Sequence, residues 1–166
     1  MGDEAEELSA ALPGYSIRSG LPLDRATVVK FMVRTYTEIN PHQPVNHLAT
    51  TVDRYLSRDT PLWWAAPVDT TAPVAGLWLG QATDQRSGVL HPYVLLLYVV
   101  PTHRRRGIAT ALLAVAHQWA IQQGHQQISL QVFSHNQAAQ ALYASLGYQA
   151  EAVLMKKTWP ENEVEV

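Results

Sequence analysis

Apolar positions along this chain change period several times, and each change marks a new element. Tyr15, Ile17 and their polar neighbours alternate over residues 15–19 as a short strand does. Pro22, Leu23 and Asp24 can begin a helix, and Val28, Val29, Met32 and Val33 then fall on one side of it. Residues 40–46, with two prolines and two asparagines, form a loop before a second short helix over residues 47–56. Residues 62–66 and 74–79 read as strands joined by a turn over residues 69–73. After a turn at residues 84–88, residues 93–100 are an almost unbroken apolar run, the pattern of a strand covered on both faces.

The next helix has the clearest period. Ile108, Leu112, Val115 and Trp119 recur at steps of four, three and four, and Gly124 supplies a stop. Ile128, Leu130 and Val132 then alternate as a strand. Residues 136–146 read as a helix with Ala138, Leu142 and Leu146 on one face, and residues 148–157 as a last strand. Strand, helix, strand over residues 93–133 predicts a parallel unit with a right-handed crossover. The fold class expected is α/β, with a mixed sheet in one domain over residues 13–159. An acidic leader (residues 1–12) and an acidic tail (160–166) flank it.

Composition narrows the classes. With 166 residues, 47% apolar and 16% charged, the chain can bury a real core and is neither disordered nor a coiled coil. No apolar run approaches the roughly 18 to 20 residues of a membrane span, and the acidic start has no signal-peptide pattern. Glu6 stands where a myristoylated start would carry Ser or Thr. Cysteine is absent, which excludes disulfides, thiolate metal sites and a cysteine acyl-enzyme. The expectation is a soluble cytoplasmic protein with no membrane partner; a homodimer stays open. His42 and His47, five apart, show no ligand spacing, and no metal is expected.

Net charge is −2, but seven of the fourteen acidic residues lie at the two ends. Residues 8–160 carry twelve basic and seven acidic groups, and residues 85–150 contain no carboxylate at all. Arg86, Arg104, Arg105 and Arg106 lie within that stretch, so its field suits an anionic ligand. Nucleic acid is not expected, since the basic residues form one short cluster without interleaved aromatics.

That cluster sits where the apolar strand gives way to the helix, in VVPTHRRRGIATALL (residues 99–113). A helix beginning near Gly107 leaves its first N–H groups without intrahelical partners, and its dipole makes that end positive. Gly107 has no Cβ and Ala109 a small one, so a phosphate group can approach the main chain there while the arginines add charge. A solvated arginine turn capping an ordinary helix is the alternative. The segment lacks both G-x-x-x-x-G-K-[ST] and G-x-G-x-x-G. It does match [Q/R]-x-x-G-x-[G/A], as Arg104-Arg-Arg-Gly107-Ile-Ala109. Further on, Asn136-Gln-Ala-Ala-Gln-Ala-Leu-Tyr143-Ala-Ser-Leu-Gly147-Tyr148 matches N-x-x-A-x-x-x-Y-x-x-x-G-[F/Y] at every fixed position. In these two motifs the chain resembles the GNAT superfamily of N-acetyltransferases. The resemblance is specific over residues 91–150 and topological over about 15–158.

The resemblance implies a sheet whose fourth and fifth strands splay, flanked by about four helices, with the pantetheine arm of acetyl-CoA filling the slot. On this chain the splayed pair would be residues 93–99 and 128–133. The main chain around Leu97, Tyr98 and Val99 would bind the acetyl carbonyl and pantetheine. Arg104, Arg105, Arg106, Gly107, Ile108, Ala109 and Thr110 would hold the diphosphate, and Asn136 would touch the pantetheine or nucleotide. The implied activity is transfer of an acetyl group to a primary amine of a small molecule or a peptide, by direct attack in a ternary complex. The Leu97 N–H would steady the oxyanion, and Tyr143 would supply a proton or hydrogen bond to the departing sulfur. No base is assigned. Tyr93 stands where some relatives carry a glutamate, leaving Glu38, Asp53, Asp84, His135, a water chain and, as the preferred histidine, His91. The loop at residues 40–46, with Tyr36, Trp63, Trp64, Trp78 and Tyr93, is a candidate lining of the acceptor pocket. A noncatalytic acyl-CoA sensor or scaffold is the alternative function.

Overall fold

The structure is a computed structural model that describes residues 12–160; the acidic leader, apart from Leu12, and residues 161–166 of the tail lie outside the described residues. The chain divides into two compact units after Phe133.

The first unit is built on one sheet. Strands β1 (Tyr15–Ser19), β2 (Leu62–Pro67), β3 (Ala75–Thr83), β4 (Leu90–Val99) and β5 (Ser129–Leu130) lie side by side in chain order. The first four pair antiparallel and β5 runs parallel to β4. Helix α1 (Arg25–Ile39) follows a 3₁₀ turn over Pro22–Asp24, α2 (His47–Tyr55) follows the loop, and α3 (Ile108–Gln122) connects β4 to β5.

Both faces of the sheet are covered, as the apolar run in β4 requires. On one face Phe31 of α1 meets Trp64 and Tyr98 edge-on or tilted, at 5.4 and 5.2 Å between ring centres. Val28, Met32, Leu48 and Val52 close that layer around Trp78 and Leu96. On the other face α3 buries Ile108, Leu112, Leu113 and Ala116, and its Trp119 meets Trp63 at 6.2 Å. Each large aliphatic buried this way contributes about 1.5–3 kcal/mol, so the sheet–α3 layer is a rigid support for whatever the helix start carries. Trp63, Trp64 and Trp78 are thus buried core residues.

One irregularity shapes the functional edge. Opposite Trp78 and Leu79, β4 presents Leu96 and Val94, leaving Leu95 as an extra, bulged residue. Gly80 leaves room for it: a Cβ there would fall 2.6 Å from Leu95 Cδ1. Beyond the bulge β4 changes its relation to β5.

The second unit contains α4 (Gln137–Ser145), ended by Gly147 at φ 88°. Two strand expectations are corrected here. The alternation at Ile128, Leu130 and Val132 yields only the two-residue β5, and residues 148–157 form no strand. Residues 151–160 are all exposed and join no ladder, and without a neighbour an extended segment leaves its main-chain groups to water. Alternation alone does not make a strand.

Candidate active site

The site starts from the way β4 pairs. Val100 N–H donates to Val74 O at 2.8 Å, and antiparallel pairs alternate between bonded and non-bonded. Tyr98 and Leu96 therefore exchange bonds with Gly76 and Trp78, while Leu97 and Val99 turn their N–H and C=O groups to the opposite edge. That edge should belong to β5, yet β5 pairs only with Tyr93 and Val94. From Leu95 to Val99 the β5-facing edge of β4 has no strand partner among the described residues. Tyr98 offers nothing to that edge: its main chain faces β3, and its hydroxyl donates to Glu38 Oε1 at 2.8 Å.

The edge runs into the arginine turn. Pro101–His103 make a 3₁₀ turn, Arg105 takes φ 62° and Gly107 φ 79°, and α3 begins. For a residue with a Cβ that left-handed region is costly, which explains the glycine. Protein crowding does not, since among the described residues a Cβ on Gly107 would meet only Leu12 Cδ1, at 3.9 Å. No side chain among the described residues caps α3, and no acidic residue lies in its first turn. The first intrahelical bond is Ala111 N–H to Gly107 O, leaving the N–H groups of Ile108, Ala109 and Thr110 without intrahelical partners. Three outward N–H groups, a positive helix end and a Cβ-free residue suit a diphosphate.

The three arginines differ. Arg106 reaches back to the hydroxyl of buried Tyr15 at 3.1 Å, and that hydroxyl also lies 2.8 Å from His103 Nδ1. These contacts fasten the turn to β1. Arg104 donates from Nε to Val99 O at 2.8 Å and from Nη2 to Glu38 Oε2 at 2.6 Å. Arg105, exposed, makes no hydrogen bond or ion pair with a described residue. In the sequence the three are equal sources of charge; in the fold only Arg105 is uncommitted.

The proposed bases fall in different settings. Asp53 is in a two-pronged ion pair with Arg25. Asp84 accepts N–H bonds from Ser87 and Arg86 at 2.9 and 2.8 Å, which hold its carboxyl down at about 2. His91 is buried, with Nε2 2.7 Å from Ser129 Oγ, tying β4 to β5 next to the point where they part. His135 is exposed in the second unit. Glu38 is committed to Tyr98 and Arg104. Tyr93 is half-buried, and burial pushes its phenol up.

In the second unit Asn136 Oδ1 accepts the Ala139 N–H at 3.2 Å and so caps α4. Asparagine just before a helical pattern is a cap signal, legible in the sequence without the family motif. Burial pushes the Tyr143 phenol up to about 12. Tyr148, 5.5 Å away ring to ring, is likewise pushed up to about 12, first by burial and then by Tyr143 itself.

A parallel-paired β5 that leaves β4 after two residues, with an open edge leading to a helix start without a side-chain cap, is the arrangement the GNAT resemblance led us to expect. The model of the acetyltransferase (GNAT) family matches residues 27–148, and the chain belongs to that family, whose members use acetyl-CoA. It is 32% identical over 94 residues to the uncharacterized N-acetyltransferase YycN of Bacillus subtilis, a match spanning 57% of this chain and 59% of that protein. Among solved structures, a putative acetyl transferase from Pyrococcus furiosus superposes with a TM-score of 0.73 at 23% identity, over 87% of this chain and 99% of that one. AAC(6')-Iy, solved with a bisubstrate analogue containing CoA, superposes with a TM-score of 0.66 at 16% identity, over 88% and 99%. Both likenesses speak to the fold. No helix among the described residues is long and apolar enough to cross a membrane.

Proposed function

We propose that the protein moves an acetyl group from acetyl-CoA to a primary amine by direct attack, with both substrates bound together. The observation that carries this reading is the open edge of β4 leading into the uncapped start of α3. The pantetheine arm runs along Leu97 and Val99 as a strand would, and the diphosphate lies on the N–H groups from Arg105 to Thr110. The Leu97 N–H, turned toward that edge, donates to the acetyl oxygen as it gathers negative charge. Losing such a donor typically costs about 10²–10³ in rate.

Tyr143 is the proposed partner of the departing sulfur, and its pKa refines the role. A phenol at about 12 facing a thiolate whose acid has a pKa of about 8.5 gives up its proton uphill by more than three units. Tyr143 therefore acts as a hydrogen-bond donor that stays protonated. A thiol-release assay with acetyl-CoA across small amines, polyamines and peptides tests the function. Release that depends on one class of amine supports it and names the acceptor; no release with any amine, despite cofactor binding, favours a noncatalytic acyl-CoA-binding role.

A further inference from the structure

Arg104 stands at the first position of the arginine motif, yet two of its guanidinium nitrogens are already engaged and its plane lies near an aromatic ring. Its Nε–H sits on Val99 O at 2.8 Å, its Nη2 on Glu38 Oε2 at 2.6 Å, and its Cζ lies 5.6 Å from the centre of the Tyr98 ring. The Tyr98 hydroxyl takes the other Glu38 oxygen at 2.8 Å. One carboxylate oxygen is thus reserved for each partner, and Glu38 stays aimed at the guanidinium.

We propose that Arg104 is a built-in stopper of the open β4 edge, seated by Glu38 and Tyr98, which a strand-like ligand must lift off to bind. The inference rests on the reading that acyl-CoA runs along β4. Val99 C=O is one of the acceptors that the strand turns toward its open side, and Arg104 Nε–H already occupies it. An extended chain of amides joins a sheet edge through alternating donors and acceptors, so the seated arginine competes with it for Val99. Glu38 also neutralises the guanidinium while it is seated. Lifting Arg104 frees an acceptor for the pantetheine arm and a positive charge for its phosphates in one movement. Glu38 and Tyr98 are then positioning residues, acting through Arg104 from α1 and β4. Both members of the ion pair are partly exposed, with 41% and 39% of their side-chain surface open, so the seat is weak enough to be undone by a ligand.

The test compares S-acetylpantetheine, which has the arm but no diphosphate, with acetyl-CoA by calorimetry. Arg104→Ala is expected to bind S-acetylpantetheine more tightly than the wild type, by about three- to tenfold for one partly exposed charge-assisted bond removed. Its affinity for acetyl-CoA rises less or falls, because the guanidinium is gone. Glu38→Gln keeps the side chain's shape and loosens the seat, so both ligands should bind more tightly. If Arg104→Ala binds S-acetylpantetheine no better than the wild type, the stopper is overturned, while wild-type binding of acetyl-CoA leaves the site reading standing. If the alanine variant does not fold, Glu38→Gln decides alone, with unchanged or weaker binding of S-acetylpantetheine counting against the proposal. Wild-type protein that binds no acetyl-CoA brings down both readings together.

Discussion

Two helices of this protein begin in opposite ways. Helix α4 is capped by its own sequence: the Asn136 side chain takes the Ala139 N–H. Helix α3 has Gly107 in the same place, with no side chain to offer, a left-handed φ of 79° and no acid in the first turn. A cap of this kind is worth about 0.5–2 kcal/mol, and α3 forgoes it while burying a face of Ile108, Leu112, Leu113, Val115, Ala116 and Ala120. The packing of Ile108, Leu112 and Leu113 holds the helix without help from its end, so that end is available for an anion. A helix start left open on a rigid support differs from one that is merely frayed.

Changes at these two starts should separate their roles. Gly107→Glu puts a negative charge and a side chain where the diphosphate would lie, on a backbone that disfavours any Cβ. Acetyl-CoA affinity is expected to fall by more than about a hundredfold, measured by calorimetry with folding checked by circular dichroism; wild-type affinity would remove the cradle. Tyr143→Phe is next: turnover falls about tenfold or more while affinity for acetyl-CoA stays within about twofold. Because the phenol is held at about 12, Tyr143 should add no falling limb to the pH–rate profile below about pH 10. The same shift gives a stability prediction. A raised pKa means that the folded state holds its proton longer, so that contribution is complete below pH 10 and is lost as pH rises from 10 to about 12.

Asn136→Ala should cost about 1 kcal/mol in denaturant unfolding, a cost that Gly107→Ala would owe to its φ and not to a lost cap. The smallest effect is expected at Asp84, in the turn between β3 and β4. Its carboxyl is held at about 2 by the Ser87 and Arg86 N–H groups, so its contribution is present above an ordinary pKa near 3.8 and fades as pH falls through 2. Asp84→Asn should lower Tm at pH 7, and the difference should shrink as pH falls below 3.8 and vanish only below about pH 2. A difference that persists undiminished in acid would contradict that assignment.

The sequence carried the helices and the motifs well, because their signals are local. The period of Ile108 and Leu112 and the glycine before them place α3, and its observed start is Ile108. Signals that depend on partners were not legible. Val132 alternates properly, but β5 ends at Leu130 because no described strand pairs with the residues after it. The tail at residues 148–157 reads as a strand for the same reason and forms none. In the site, the three arginines look alike in a string of letters. Only the fold brings Glu38 from 66 positions away to Arg104, and Tyr15 from 91 positions away to Arg106. The bulge at Leu95 was also hidden, since an unbroken apolar run shows no extra residue.

The central claim concerns specific main-chain amides, and those can be watched one by one. Amide ¹H–¹⁵N shifts of the protein titrated with acetyl-CoA should move most at Leu97, at Val99 and from Arg105 to Thr110, with smaller changes at Leu96 and Tyr98, whose groups face β3. If the ligand binds and those amides stay still while others respond, the site lies elsewhere.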